Sequence, residues 1–159
     1  MKSISIVLVF LIVSTISWAQ ETESNADLGI EFNYPSNWNL TPKEDGYLMG
    51  VEKREGFILI KIESYKSLKK MKASMKNGIT QENGSVLTLL NELQPYGENG
   101  LAGMYEGTVD EKKVKGFLIG KFNDKTDKSV ITIVVAPADR FNQSHMDALK
   151  TIGRSLKFL

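Results

Sequence analysis

The stretch from residue 103 to residue 136 constrains the fold of this chain more than any other part. It holds three runs of strand-forming residues, at 103–109, 114–122 and 129–136, joined by short polar turns. Turns this short connect antiparallel neighbours, because a parallel crossover needs about a dozen residues or more. The stretch therefore predicts an antiparallel sheet, and its β-branched last run predicts a central strand.

Alternation of apolar and polar residues adds strands nearer the N-terminus. Ile30, Phe32 and Tyr34 share one face of a predicted strand. Pro35 ends that strand because proline has no amide donor for the ladder. Residues 57–62 are apolar on both faces in their first half, which is typical of a covered central strand.

Two segments have helical periodicity instead. Residues 66–83 carry one apolar stripe at three- and four-residue steps, which consists of Leu68, Met71, Met75 and Ile79. Asn83 with Gly84 supplies a stop. Near the C-terminus, Ser144 is a suitable N-cap and Asp147 lies three residues on, as in a capping box. The stripe of this second helix consists of Met146, Leu149, Ile152 and Leu156.

The predicted order is three strands, a helix, four strands and a closing helix. Because the central strands are apolar on both faces, helices are expected on both sides of the sheet. The fold class is therefore α+β, an α/β/α sandwich with a mainly antiparallel six- to seven-stranded sheet and two main helices. A domain of about 150 residues buries enough surface to be stable without disulfides, so residues 29–159 are expected to form a single domain.

The first 19 residues have the parts of a secretory signal peptide. A positive Lys2 precedes the apolar run 6–13, and small residues at Ser17 and Ala19 predict cleavage after Ala19. A retained anchor is the alternative, but a spanning helix needs roughly 20 apolar residues. The mature protein is then periplasmic or secreted, without stable membrane insertion, and residues 20–28 are expected to be a flexible polar leader.

Composition excludes several classes of function. The chain has 20 Lys+Arg and 19 Asp+Glu, and loss of Lys2 with the signal leaves a neutral mature chain, unlike a nucleic-acid binder. The absence of cysteine excludes disulfides, thiol nucleophiles and cysteine-bound metals. With a single histidine and no glycine-rich phosphate loop, no catalytic, metal or cofactor site is predicted.

The pattern Phe32, Tyr34, Pro35, Trp38, followed by an antiparallel sheet, resembles the PsbP-like superfamily. The closing sequence Ile-Gly-Arg-Ser-Leu-Lys-Phe at 152–158 is similar to the final helix of that superfamily and the residues after it. The superfamily includes extrinsic PsbP proteins of photosystem II, Ran-binding Mog-type proteins and DcrB-like periplasmic proteins. The resemblance implies an α/β/α sandwich and mostly non-enzymatic binding, assembly or regulation. It implies no catalytic residues, so the motif positions are structural only.

His145 is the only histidine, so any histidine-based hydrolase must use it. Asp139, Ser144 and Asp147 lie near it in sequence, which does not establish a triad in space. A histidine in the first turn of a helix is expected to be a solvated surface residue.

Lysines are concentrated on the first predicted helix. One interpretation is a surface that docks an acidic partner or an anionic membrane; the plainer and preferred one is the solvated side of an amphipathic helix. The candidate partner surface consists of Lys66, Lys69, Lys70, Lys72 and Lys76.

Three functions follow in order of preference. The first is an exported, non-catalytic protein-binding or assembly module whose partner is another envelope or secreted protein. The second is a carrier of a lipid or small apolar ligand held between sheet and helix. The third is a hydrolase that uses His145.

Overall fold

The computed structural model describes residues 19–51, 54–80 and 85–159. Within these ranges the helices are α1 (Leu68–Lys76) and α2 (Gln143–Ser155). The strands are β1 (Gln20–Asn25), β2 (Ile30–Pro35), β3 (Asn39–Lys43), β4 (Gly46–Val51), β5 (Arg54–Ser64), β6 (Ile79–Thr80), β7 (Val86–Leu89), β8 (Gln94–Pro95), β9 (Gly100–Val109), β10 (Lys112–Phe122), β11 (Lys128–Pro137) and β12 (Lys157–Phe158).

The strands form two sheets. The larger sheet has nine strands in the order β3-β4-β5-β11-β10-β9-β7-β6, with β8 paired to β9; the smaller has the order β1-β2-β12. Every strand pair in the described residues is antiparallel, which confirms the predicted sheet type. The predicted count of six to seven strands is too low for the larger sheet, because its two-residue strands β6 and β8 carry no periodicity that a sequence pattern can detect.

The helices lie on opposite faces of the larger sheet, as predicted. Ile119 on β10 belongs to a buried cluster with Leu149 and Ile152 of α2. The next residue back, Leu118, belongs to a second cluster with the two buried methionines of α1. Since successive strand residues point to opposite faces, the two clusters mark the two faces. The molecule is an α/β/α sandwich.

The helix predicted over residues 66–83 is shorter in the structure. It ends at Lys76, and Gly78 follows with φ +88°. A Cβ built on Gly78 would lie 2.5 Å from the carbonyl oxygen of Leu87, so the chain turns here in a conformation that favours glycine. Ile79, assigned to the helical stripe from sequence, pairs with Leu87 in β6. The predicted stop at 83–84 lies outside the described residues.

The expectation of a flexible leader at residues 20–28 is wrong for its first six residues. They form β1, which pairs with β2 over six positions from Gln20 opposite Pro35 to Asn25 opposite Ile30. All of its side chains are polar and exposed or half-buried, so the sequence shows no apolar face. The predicted signal peptide lies outside the described residues except for Ala19. The domain boundary at residue 29 stays a prediction.

The N-terminus of α2 is also set differently. Asn142, not Ser144, is the N-cap, and His145, not Asp147, completes the capping box. The predicted buried positions are otherwise largely confirmed, since Leu149, Ile152 and Leu156 are buried. No helix in the described ranges is both long and apolar enough to cross a membrane.

Candidate functional site

A close approach to the sheet fixes the position of α1. Met71 and Met75 are buried over Gly120 of β10, where an added Cβ would lie 2.9 Å from Sδ of Met75. The hydroxyl of Tyr105 donates to the carbonyl oxygen of Met75 at 2.8 Å. Burial raises the pKa of Tyr105 to about 12, so this donor keeps its proton at neutral pH. The buried side of α1 is therefore held in one orientation.

Polar contacts fix the ends of the same helix. The Ser67 side chain accepts a hydrogen bond from the backbone N–H of Lys70 at 3.2 Å, as an N-cap should. Tyr65 donates to Oγ of Ser74 at 3.1 Å along one flank. Together with the buried methionines, these contacts leave the opposite side of α1 to solvent.

The predicted lysines occupy that solvent side, with one correction. Lys66 precedes the N-cap and is not helical, whereas the other four lie on α1. All are exposed, and none belongs to an ion pair within the described residues. We call this set, Lys66, Lys69, Lys70, Lys72 and Lys76, the basic face.

The helix dipole disfavours the lysines in the first turn of α1 and favours Lys76 in its last turn. The first turn of α1 contains no acidic residue, although carboxylates stabilise this positive end and cations do not. Lys69 and Lys70 lie in this first turn. The helix dipole therefore does not explain the placement of Lys69 and Lys70.

An exposed apolar side chain lies near the turn that follows α1. Val86 on β7 is 44% exposed, and its Cγ1 lies 3.5 Å from the position of a Cβ built on Gly78, just past the end of α1. Leu90, which follows β7, is 40% exposed. Single exposed apolar side chains of this kind are normal on a protein surface.

His145 is buried, so the expectation of a solvated histidine is wrong. Its side chain is 3% exposed, and its Nε2 lies 3.2 Å from the carbonyl oxygen of Glu55. Its Nδ1 accepts from the backbone N–H of Asn142 at 3.3 Å. Both contacts fit the tautomer with the proton on Nε2. The ring of Phe141 stacks on the imidazole with centroids 5.7 Å apart.

The acidic residues near His145 in sequence make other contacts. Asp139 pairs with Arg140 at 3.9 Å, and Asp147 accepts from Nε2 of Gln143 at 2.7 Å. With its two ring nitrogens engaged by Asn142 and Glu55, His145 acts as a structural part of the α2 N-terminus.

Two observations concern metal and small-ligand sites in the described residues. They contain no group of three or more His, Cys, Asp or Glu side chains placed to hold a metal ion. A surface depression between β1 and α2 is open and lined by polar residues, Gln20, Thr151, Arg154 and Ser155. Because its lining is polar, this depression is not suited to an apolar ligand, and it does not support the carrier function.

A pair of tyrosine–glutamate contacts beneath β1 was not predicted from sequence. Tyr34 donates to Oε2 of Glu21 at 2.7 Å, and Tyr47 donates to Oε1 of Glu23 at 2.9 Å. The bond to Glu21 is the main cause that raises the pKa of Tyr34 to about 12. Burial is the main cause that raises the pKa of Tyr47. The only sequence signal is the two-residue spacing of the glutamates, which puts both on one face of a strand.

Comparisons with known proteins identify the fold. No protein-family model matches the chain, and no curated protein gives a significant match. Among solved structures, cyanobacterial PsbP (CyanoP) from Synechocystis sp. PCC 6803 has a TM-score of 0.59 and 14% identity, with 92% of this chain and 96% of that chain covered.

Two further structures are similar. The Ran-binding protein Mog1p from Saccharomyces cerevisiae has a TM-score of 0.60 and 11% identity, over 89% of this chain and 96% of that one. A point mutant of Mog1 has a TM-score of 0.59 and 10% identity, with 88% of this chain and 96% of that chain covered. At such low identity these likenesses concern the fold. The chain therefore has the fold of the PsbP-like superfamily, which PsbP and Mog1 share.

Proposed function

We propose that this protein is an exported, non-catalytic module that binds another envelope or secreted protein through the basic face. The observation that carries the proposal is a set of five exposed lysines without ion pairs in the described residues, on and beside a helix whose other side is fixed. A Ran-binding protein and PsbP share this fold. This likeness supports a binding function for the present protein rather than a catalytic one.

The chemistry of the basic face indicates an acidic partner. Lysines near a helix N-terminus add to the positive potential of the helix dipole, and clustered charge raises the association rate of an oppositely charged protein. We therefore expect binding that weakens as ionic strength rises, because salt screens exposed charges beyond about 8–10 Å.

A capture experiment tests the proposal. Tagged mature protein is incubated with the envelope fraction, and bound proteins are identified by mass spectrometry. The triple variant Lys69→Gln/Lys70→Gln/Lys72→Gln should lose a consistently enriched acidic protein. The matched control, Lys112→Gln/Lys113→Gln/Lys115→Gln, removes the same charge from exposed positions on β10 and should keep it. Equal capture by the two triple variants, or capture of nothing above background, would refute the role of the basic face.

Export is a separate part of the proposal with its own test. β1 begins at Gln20, so cleavage after Ala19 would leave the whole strand in the mature protein. We expect the intact mass of protein purified from the periplasm or culture medium to correspond to residues 20–159. Recovery of the uncut chain from the membrane fraction would contradict export.

A further inference from the structure

The first strand of the smaller sheet is attached to the molecule in an unusual way. β1 forms a six-pair ladder with β2, yet none of its side chains belongs to either apolar core cluster. Beyond the ladder, it is held by the bonds from Tyr34 to Glu21 and from Tyr47 to Glu23, and by a more exposed bond from Oγ1 of Thr22 to Oδ1 of Asn33 at 2.9 Å. Because apolar burial is the main source of stability, β1 contributes little to the fold that it covers.

The edge of β2 that β1 covers is fixed independently of β1. Ile30, Phe32 and Tyr34 of β2 are buried in the core. On the side away from β1, the backbone N–H of Asn33 donates to Oγ of Ser155 on α2 at 2.8 Å, and β12 pairs with β2. The edge and the tyrosine hydroxyls beside it should therefore keep their positions if β1 leaves.

We propose that this edge of β2 is a binding groove for an extended acidic peptide of a partner protein, and that β1 occupies the groove in cis. An added strand gains affinity from main-chain hydrogen bonds and specificity from alternate side chains. Here specificity comes from Tyr34 and Tyr47, whose hydroxyls donate to two carboxylates spaced two residues apart on the bound strand. The sequence Gln-Glu-Thr-Glu-Ser-Asn of β1 shows what the groove accepts.

A partner peptide must compete with β1 for the edge of β2. β1 is tethered to β2 by only residues 26–29, and so short a link gives an effective concentration in the millimolar range. A partner peptide must bind strongly enough to overcome this effective concentration. A variant with a weakened β1 is therefore needed to measure peptide binding to the groove directly. No residue of α1 takes part in the groove. Failure of partner binding at the basic face would therefore leave the peptide groove untouched, and failure of peptide binding in the groove would leave the basic face untouched.

Peptide titration of the full mature chain tests the proposal. The receptor carries Glu21→Ala and Glu23→Ala, which weaken β1, and its fold is checked by circular dichroism. The probe is a fluorescent peptide with the sequence of residues 19–28; the control peptide has alanine at both glutamate positions. We expect the probe to bind at least about tenfold more tightly than the control, as loss of charge-assisted hydrogen bonds predicts. Adding Tyr34→Phe and Tyr47→Phe to the receptor should abolish the difference.

Equal binding of the two peptides, or no binding by a folded receptor, would overturn the proposal. Hydrogen exchange on the unaltered chain gives a readout that does not depend on the variants. The β1 amides should open at a lower free energy than those of β10 and β11, as a separately detaching segment does. Opening of β1 only with global unfolding would also overturn the proposal. A dimer that forms by exchange of β1 and excludes the probe would show that the occupant is a second copy instead.

Discussion

The phenolic oxygen of Tyr47 on β4 lies 2.9 Å from Oε1 of Glu23 on β1, and this hydrogen bond joins the two sheets of the sandwich. The Tyr47 ring is buried and contacts Phe32 edge-on, with centroids 5.4 Å apart. A polar surface strand is thus connected to the aromatic centre of the core. The two tyrosine–glutamate bonds in this attachment require protonated tyrosine hydroxyls.

The first prediction concerns alkaline pH. The pKa of Tyr34 is raised from 10.0 to about 12, mainly by its bond to Glu21. A raised folded-state pKa gives stability that is fully present below pH 10 and is lost as the pH rises through 12. We expect the difference in free energy of unfolding between wild type and Tyr34→Phe to shrink across this interval. Urea titrations at pH 9, 10.5 and 12 measure it, and a constant difference would contradict the assignment.

The second prediction uses two glycines of β4. A Cβ on Gly46, whose φ is +156°, would overlap the carbonyl oxygen of Ile60, whereas no atom of the described residues lies within 4 Å of one on Gly50. Gly46→Ala should therefore cost roughly 3 kcal/mol or more, from backbone strain and overpacking. Gly50→Ala, the matched control, should cost less than about 1 kcal/mol. Similar denaturation midpoints for the two variants would show that β4 and β5 do not approach this closely.

The third prediction concerns His145. His145→Ala removes half of a capping box and the contact of the ring with the carbonyl oxygen of Glu55, which should cost about 1–2 kcal/mol. His145→Gln should cost less, because glutamine suits this position of a capping box. Chemical denaturation of both variants provides the measurement. Full stability of His145→Ala would mean that the ring is not a structural element.

The fourth prediction compares two serines. Ser129 is fully buried, and its hydroxyl has no hydrogen-bond partner in the described residues. Oγ of Ser155 instead accepts from the N–H of Asn33 and lies 2.8 Å from the carbonyl oxygen of Thr151. Ser129→Ala should be neutral or slightly stabilising, whereas Ser155→Ala should cost about 1–3 kcal/mol. The reverse order of melting temperatures would contradict the contacts assigned to both.

Segments with strong periodicity could be predicted from sequence, and weakly patterned ones could not. The alternation of Ile30, Phe32 and Tyr34 correctly predicts the strand β2 and the face of it that is buried. β1 was missed because a polar edge strand buries no stripe, and its pairing depends on a register that only the folded chain defines. Ile79 was assigned to α1 because its spacing fits a helix, although Gly78 turns the chain away.

The same limit applies to the candidate sites. The basic face was found because charge at helical spacing is visible in sequence, apart from Lys66, which precedes the helix. The burial of His145 was missed because its partner Glu55 lies 90 residues away. Tyr47 and Glu23 come together through packing between different sheets. Long-range contacts of this kind leave no local pattern.

Site-specific photo-crosslinking in cells that make the protein tests the central claim, that the basic face docks a protein partner, most directly. A photoreactive residue replaces Lys72 on α1 or, as the control, Lys112 on β10; both positions are exposed. The account predicts a discrete, higher-mass adduct with one acidic protein from position 72 and none from position 112. No adduct from position 72, or the same adduct from both positions, would contradict it.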